Sequence, residues 1–169
     1  PTKRSCKCCN TVVKMSFPYS TATVDVELNK KFAWNSELPN NSVRMWYYSL
    51  IYIGRLLATY HKSNDAASLD LALSLTSDYL DYVAVSEHRA GVNGIASADH
   101  ATAERLKVML TLHQIVRESK DVRGVALLPR LLDEMHYCAE WLTEEANLGV
   151  GNHQLMGCMS LMFTYSLLT

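Results

Sequence analysis

The chain has 169 residues, 49% hydrophobic and 20% charged, which is enough apolar material for one domain with a sizeable core and excludes a disordered segment. Sixteen basic residues against seventeen acidic leave a net charge of −1, which argues against a general nucleic-acid or anionic-membrane binder. No run is long and apolar enough to span a bilayer, and few glycines and prolines beside many Leu and Ala point to helices.

In chain order, residues 1–20 read as irregular, with Pro1, Pro18, a basic start and the cysteines Cys6, Cys8 and Cys9. Residues 21–28 alternate in the strand manner, with Val24, Val26 and Leu28 on one side. Residues 1–38 therefore form an irregular or extended N-terminal segment, and residues 39–169 a helical domain. Pro39, Asn40, Asn41 and Ser42 are a helix start signal, with Ser42 as N-cap. The first helix is expected over about residues 43–60, where Trp46, Tyr47, Leu50, Ile53, Leu57 and Tyr60 recur at spacings of three and four. After a polar break the second covers about residues 66–85, and Gly91 to Gly94 form a loop. The third runs from about residue 98 to 119, with His113 among the apolar residues of one face as a satisfied core histidine. The fourth begins near Val125, which places Pro129 in its first turn, where proline is tolerated. The fifth starts at Asn152 and is apolar nearly all round, as befits an inner helix of a larger helical body. Cys138 and Cys158 lie on apolar helix faces as core fillers. Short connections make sequence neighbours antiparallel, so the fold class is all-α.

Three groups of residues carry chemistry by type and spacing. Cys6, Cys8 and Cys9 lack the matching second pair of a zinc site, so no metal is assigned. The segment Asp99-His100-Ala101-Thr102-Ala103-Glu104-Arg105-Leu106 opens the third helix. Asp99 suits the positive helix N-terminus, and His100 and Glu104 share a face; a capped helix with a solvated His–Glu pair fits the same residues. In Gly149-Val150-Gly151-Asn152-His153-Gln154, a polar triplet behind two glycines opens the last helix. Asn152 offers donors and an acceptor and His153 can transfer a proton, while an Asn cap followed by a core histidine fits equally. His61, His88 and His136 have no partner that the sequence names. Dinucleotide, P-loop, nucleophile-elbow and H-E-x-x-H patterns are all missing.

The order of features is informative in its own right. Trp34 is followed by an aromatic-rich helix (Trp46, Tyr47, Tyr48, Tyr60), the Asp99-to-Leu106 segment, His136-Tyr137-Cys138-Ala139-Glu140-Trp141-Leu142, and Gly151-Asn152-His153-Gln154-Leu155-Met156. Over about residues 30–169 this resembles the helical domain of heparinase II/III-like polysaccharide lyases, whose toroid is shared by related alginate lyases. The resemblance implies an incomplete (α/α) toroid that acts on an acidic, uronic-acid-containing polysaccharide by β-elimination, without a cofactor, in the periplasm or outside the cell. Asn152 would bind and neutralise the substrate carboxylate, and His153 would assist it or contact the proton in flight. His100, Arg105 and Gln154 would contact substrate or brace the cleft. Many family members have a doubled Asn before the His, where this chain has Gly151. The family's catalytic Tyr belongs to a later helical segment and has no matching position here; Tyr165 is not promoted to that role.

Proton abstraction beside a carboxylate is slow while that carboxylate keeps its charge, so the chemistry needs donors aimed at it, a base for the C5 proton and an acid for the departing oxygen. Further helices and a C-terminal β-domain are expected to follow. The start at Pro1 and the apolar end at Thr169 read as those of a fragment that is inactive alone. Two other readings stay open. A toroid glycoside hydrolase would need paired carboxylates, and Glu104, Glu140, Glu144 and Glu145 offer no convincing pair. A non-catalytic helical carbohydrate-binding or interaction domain would bury Asn152 and His153 away from any groove.

Overall fold

The computed structural model describes residues 12–16, 23–27, 34, 38, 40–95 and 98–168. Two short strands come first, β1 (Val12–Ser16) and β2 (Thr23–Glu27), paired antiparallel with Val13 opposite Val26 and Met15 opposite Val24. The alternation read over residues 21–28 thus marks a real strand. Cys6, Cys8 and Cys9 lie outside the described residues. Everything that follows is helical: α1 (Asn41–Tyr48), α2 (Ile51–Ser63), α3 (Ala66–Val83), α4 (Ser86–Asn93), α5 (Ala98–Ser119), α6 (Val122–Thr143), a short 3-10 turn (Glu145–Asn147) and α7 (Asn152–Leu168). The main body is therefore all-α, and no described helix is long and apolar enough to cross a membrane.

The single helix expected over residues 43–60 is two helices. Ser49 Oγ donates to the Trp46 carbonyl at 2.7 Å, and Leu50 adopts the left-handed conformation at φ 58°. That conformation costs a non-glycine residue roughly 1–2 kcal/mol, and full burial of the leucine side chain offsets it by a similar or larger amount, roughly 1.5–3 kcal/mol. Leu50 is completely buried, as are Val43, Ile53 and Leu57 around it. The cap of α1 is Asn40 rather than Ser42: the Asn40 side chain accepts from the Val43 N–H at 2.9 Å, and Ser42 lies within the helix. Asp65 and Asp121 cap α3 and α6 in the same way.

Two further boundaries differ from the sequence reading. Gly91 to Asn93 are helical, because buried Val92 anchors α4 and the Asn93 side chain is tied to both Arg105 and Tyr137. The Asp121 cap starts α6 three residues early, so Pro129 lies in its second turn. Pro129 is exposed there, and Val125, whose carbonyl loses its N–H partner, is also on the open side.

Helix α5 is the hub, packed against α1, α2, α4, α6 and α7. Helix α6 runs antiparallel to it: a Cβ on buried Gly124 would stand 2.6 Å from Val116 at one end, and Arg105 lies near Glu134 further along. Helix α7 turns back and runs parallel to α5, with His153 beside Asp99 and Ser160 Oγ 3.0 Å from the Ala103 carbonyl. Gly157 and Ser160 bury this flank of α7. Its other flank is open, with Leu155, Met159, Met162, Phe163 and Tyr165 all exposed, so within this chain α7 is not the buried inner helix that its composition implies. Cys158 is exposed as well, whereas Cys138 is fully buried in the manner expected of a core filler.

A polar network crosses the core between α1, α3, α4, α5 and α6. The Arg105 guanidinium donates to the Tyr48 carbonyl (3.0 Å), Asn93 Oδ1 (3.1 Å) and Thr102 Oγ1 (3.1 Å). Glu134 accepts from Tyr79 (3.0 Å) and from Arg89 (2.7 Å), and lies 4.0 Å from Arg105. Glu134 and Arg105 are buried and Arg89 is partly so; the Nε–H of each arginine makes no hydrogen bond among the described residues, so the network is held by the terminal guanidinium nitrogens.

Candidate functional site

The N-terminus of α5 and the N-terminus of α7 meet, and Asp99 is where they join. It sits in the first turn of α5, where the helix dipole favours a negative charge, and it is almost completely buried. Its carboxylate accepts the His100 N–H (2.8 Å), the Gly149 N–H (2.7 Å) and His153 Nδ1–H (3.0 and 3.1 Å to the two oxygens). Burial alone would raise its pKa, but the bonds from His153, Gly149 and His100 outweigh it and hold the carboxyl below its ordinary value. Asp99 is therefore ionised at neutral pH and acts only as an acceptor, so Nδ1 of His153 carries the proton and Nε2 is left as the working nitrogen.

The loop before α7 is shaped for this contact. A Cβ on Gly149 would stand 2.7 Å from Asp99 Oδ2 and 3.2 Å from the His153 Cβ, so only glycine lets the backbone come this close. Gly151 then takes φ +76°, turning the chain into α7. Asn152 is the first helical residue rather than its cap; it is exposed, and its side chain makes no hydrogen bond among the described residues. His153 is partly buried, with 28% of its side chain exposed.

His100 closes one side. Its ring stands edge-on to His153 at 5.6 Å and to Trp46 of α1 at 5.2 Å, which makes a wall of three rings from three helices. Burial chiefly, with the proximity of His153 and Lys107, lowers the His100 pKa against the opposing pull of Glu104 and Asp99. Its ring is therefore neutral at neutral pH. Glu104 pairs with Lys107 rather than with His100, so the expected His–Glu pair is not formed.

The sequence-read residues thus divide. His153 and His100 come together, and Asn152 is exposed on the position of α7 before His153. Gln154 is exposed on the next position of α7. Arg105 is not part of this surface: it is 1% exposed, with its guanidinium spent on Tyr48, Asn93 and Thr102, so it braces the core and cannot reach a ligand. Two participants were not read from the sequence as parts of a site. Asp99 reads as a helix cap, and its place beside His153 depends on residues about fifty positions apart meeting in space. Trp46 reads as core, though its ring also walls the site.

The other histidines are accounted for differently. His88 stacks on Tyr82 at 4.3 Å with Nδ1 3.1 Å from the Tyr82 carbonyl, and His136 pairs with Glu140 one turn along α6. No group of three or more His, Cys, Asp or Glu among the described residues is placed to hold a metal ion. No family model, curated protein or solved structure matches the chain.

Proposed function

We propose that this chain is part of a polysaccharide lyase that cleaves a uronic-acid-containing polymer by β-elimination, its helices forming part of an (α/α) toroid. The observation that supports it best is the Asp99–His153 pair, which leaves Nε2 of a histidine free one position after the exposed, unengaged Asn152. In this reading the Asn152 amide donates to the uronate carboxylate, so that negative charge can build there as the C5 proton leaves. His153 Nε2 is the proton-transfer group of the chain, with Asp99 fixing its tautomer and stabilising the imidazolium once it has gained a proton. His100 and Trp46 form the wall against which a sugar ring is held. The open apolar flank of α7 is consistent with a further helical layer, as a toroid would supply.

A glycoside hydrolase is less well supported. Glu140, Glu144 and Glu145 are exposed, Glu104 is paired with Lys107, and Asp99 is consumed by three donors, so none of these five is seen to supply half of a catalytic carboxylate pair among the described residues. A non-catalytic helical domain would bury Asn152 and His153 away from any groove, whereas Asn152 is exposed and His153 partly so.

The test is to incubate the full-length protein with alginate, heparan sulfate and hyaluronan and to follow the ultraviolet absorbance of the unsaturated uronate product. A rise on one of the polymers, lost in Asn152→Ala with helicity intact, supports the lyase. Chain cleavage without that absorbance overturns it.

A further inference from the structure

The rings of His100 and His153, from the first turns of α5 and α7, stand 5.6 Å apart between centroids, with their planes at 85°. Neither ring nitrogen of His100, nor Nε2 of His153, bonds to a described residue. None of the three is a buried atom without a partner either, so all three reach the surface. Two imidazoles on one tetrahedral ion, each with its nitrogen about 2.0–2.1 Å from the metal, hold their ring centroids roughly 5–5.5 Å apart. The observed separation needs only a small side-chain adjustment to reach that, and both rings are partly exposed.

What stands behind His153 points the same way. A histidine that ligates a metal nearly always donates its other ring N–H to a carboxylate, a carbonyl or water, which fixes the tautomer and makes the ligating nitrogen more basic. His153 Nδ1 gives its proton to Asp99, which is 5% exposed and is itself held by the His100 and Gly149 N–H groups. Nε2 is thereby left with its lone pair free. The buried carboxylate also supplies negative charge where a cation would otherwise meet the positive ends of two helices. Its oxygens are engaged by three donors, so Asp99 supports a ligand rather than being one. The chain then provides two ligands, and water fills the other positions.

We propose that His100 and His153 together bind a late first-row divalent cation, zinc above all, through one ring nitrogen of each. Imidazole suits zinc, nickel and copper, whereas magnesium and calcium require oxygen ligands. With half the ligands of a closed structural site, the expected Kd for zinc is about 1–100 μM. This binding does not depend on the lyase reading. Its consequence does: an ion on Nε2 occupies the proton-transfer nitrogen, so zinc inhibits the elimination.

The test is an NMR titration of the 169-residue chain with zinc chloride at about pH 7.5, where imidazoles are largely neutral, following the ring signals of His100 and His153. Cys6, Cys8 and Cys9 are replaced by serine so that no thiolate there competes for the ion. The two rings are expected to shift together along one saturating curve, and magnesium chloride to shift neither. His100→Gln is expected to weaken the response of His153 by about tenfold or more, through loss of one of two ligands. Different curves for the two rings overturn the proposal. So does a His153 response unchanged in His100→Gln, or no saturation below about 1 mM zinc. The coincidence of the curves is read with both histidines present, so it decides the matter even where His100→Gln does not fold. No polysaccharide is added, so the outcome is independent of the lyase assay.

Discussion

The Asp99 carboxylate takes His153 Nδ1–H at 3.0 Å and the Gly149 N–H at 2.7 Å, so one buried acid both orients a histidine and pins the loop that carries it. These two tasks can be separated by substitution. Asp99→Asn keeps the size of the side chain but removes the charge, and its amide nitrogen cannot accept. It is expected to leave the fold in place while lowering turnover by roughly 10²–10⁴-fold, the usual range for loss of positioned acid–base help. Asp99→Ala also strands the Gly149 N–H and is expected to cost about 2–4 kcal/mol in urea unfolding. Equal activity in Asp99→Asn and wild type would show that His153 needs no orienting partner.

Gly149 offers a test that touches neither histidine nor acid. Adding one methyl group there puts a carbon 2.7 Å from Asp99 Oδ2, and the loop must move away from the carboxylate. Gly149→Ala is expected to destabilise the chain by about 1–3 kcal/mol and to shift the His153 ring signals in NMR spectra. Wild-type stability together with unmoved His153 signals would mean that the loop approaches less closely than described.

Arg105 is expected to behave as a core residue. Arg105→Ala leaves the buried Tyr48 carbonyl and Asn93 Oδ1 without their donor and opens a cavity beside Glu134, and it is expected to cost about 3–5 kcal/mol, enough to unfold a domain of ordinary stability. Arg105→Met keeps much of the volume and should lose less. If Arg105→Met folds normally yet binds polysaccharide far more weakly, the arginine reaches ligand after all.

Stability should fall between pH 7.5 and 5. The folded pKa values of His100 and His113 lie below the ordinary 6.5, in both cases chiefly through burial. As the pH drops through about 6.5 the unfolded chain takes up protons that the folded chain refuses, so stability declines until the folded values are reached. Asp99 shifts in the same direction at lower pH: its lowered pKa gives stability that is present above the ordinary carboxylate range and is lost as the pH falls through the folded value. Urea midpoints measured across this range should show a smaller decline between pH 7.5 and 5 in His113→Gln than in wild type, and a flat wild-type profile would contradict the burial of both rings.

Much of the helical architecture is legible in the sequence because apolar residues three and four apart can only be buried together on one face of a helix. The positions of α3 and α5 follow from this, that of α7 from a glycine-opened apolar run, and the strand at residues 23–27 from its period of two. The break at Leu50 is not legible: no glycine, proline or polar cluster marks it, and it exists because burying Leu50 outweighs its left-handed backbone. Nor is the helicity of Gly91 to Asn93, which Arg105 and Tyr137 impose from other elements.

For the site, residue type alone singles out Asn152, His153 and His100, since histidine and asparagine at a glycine-opened helix start are few and chemically apt. The sequence by itself thus determined the helices and the polar residues at their ends. Only the tertiary structure decided which of these residues meet. It removed Arg105 from the surface, because a charge so deeply buried must spend its donors on the core. It brought Asp99 to His153, because a glycine fifty positions away lets the backbone close onto the carboxylate.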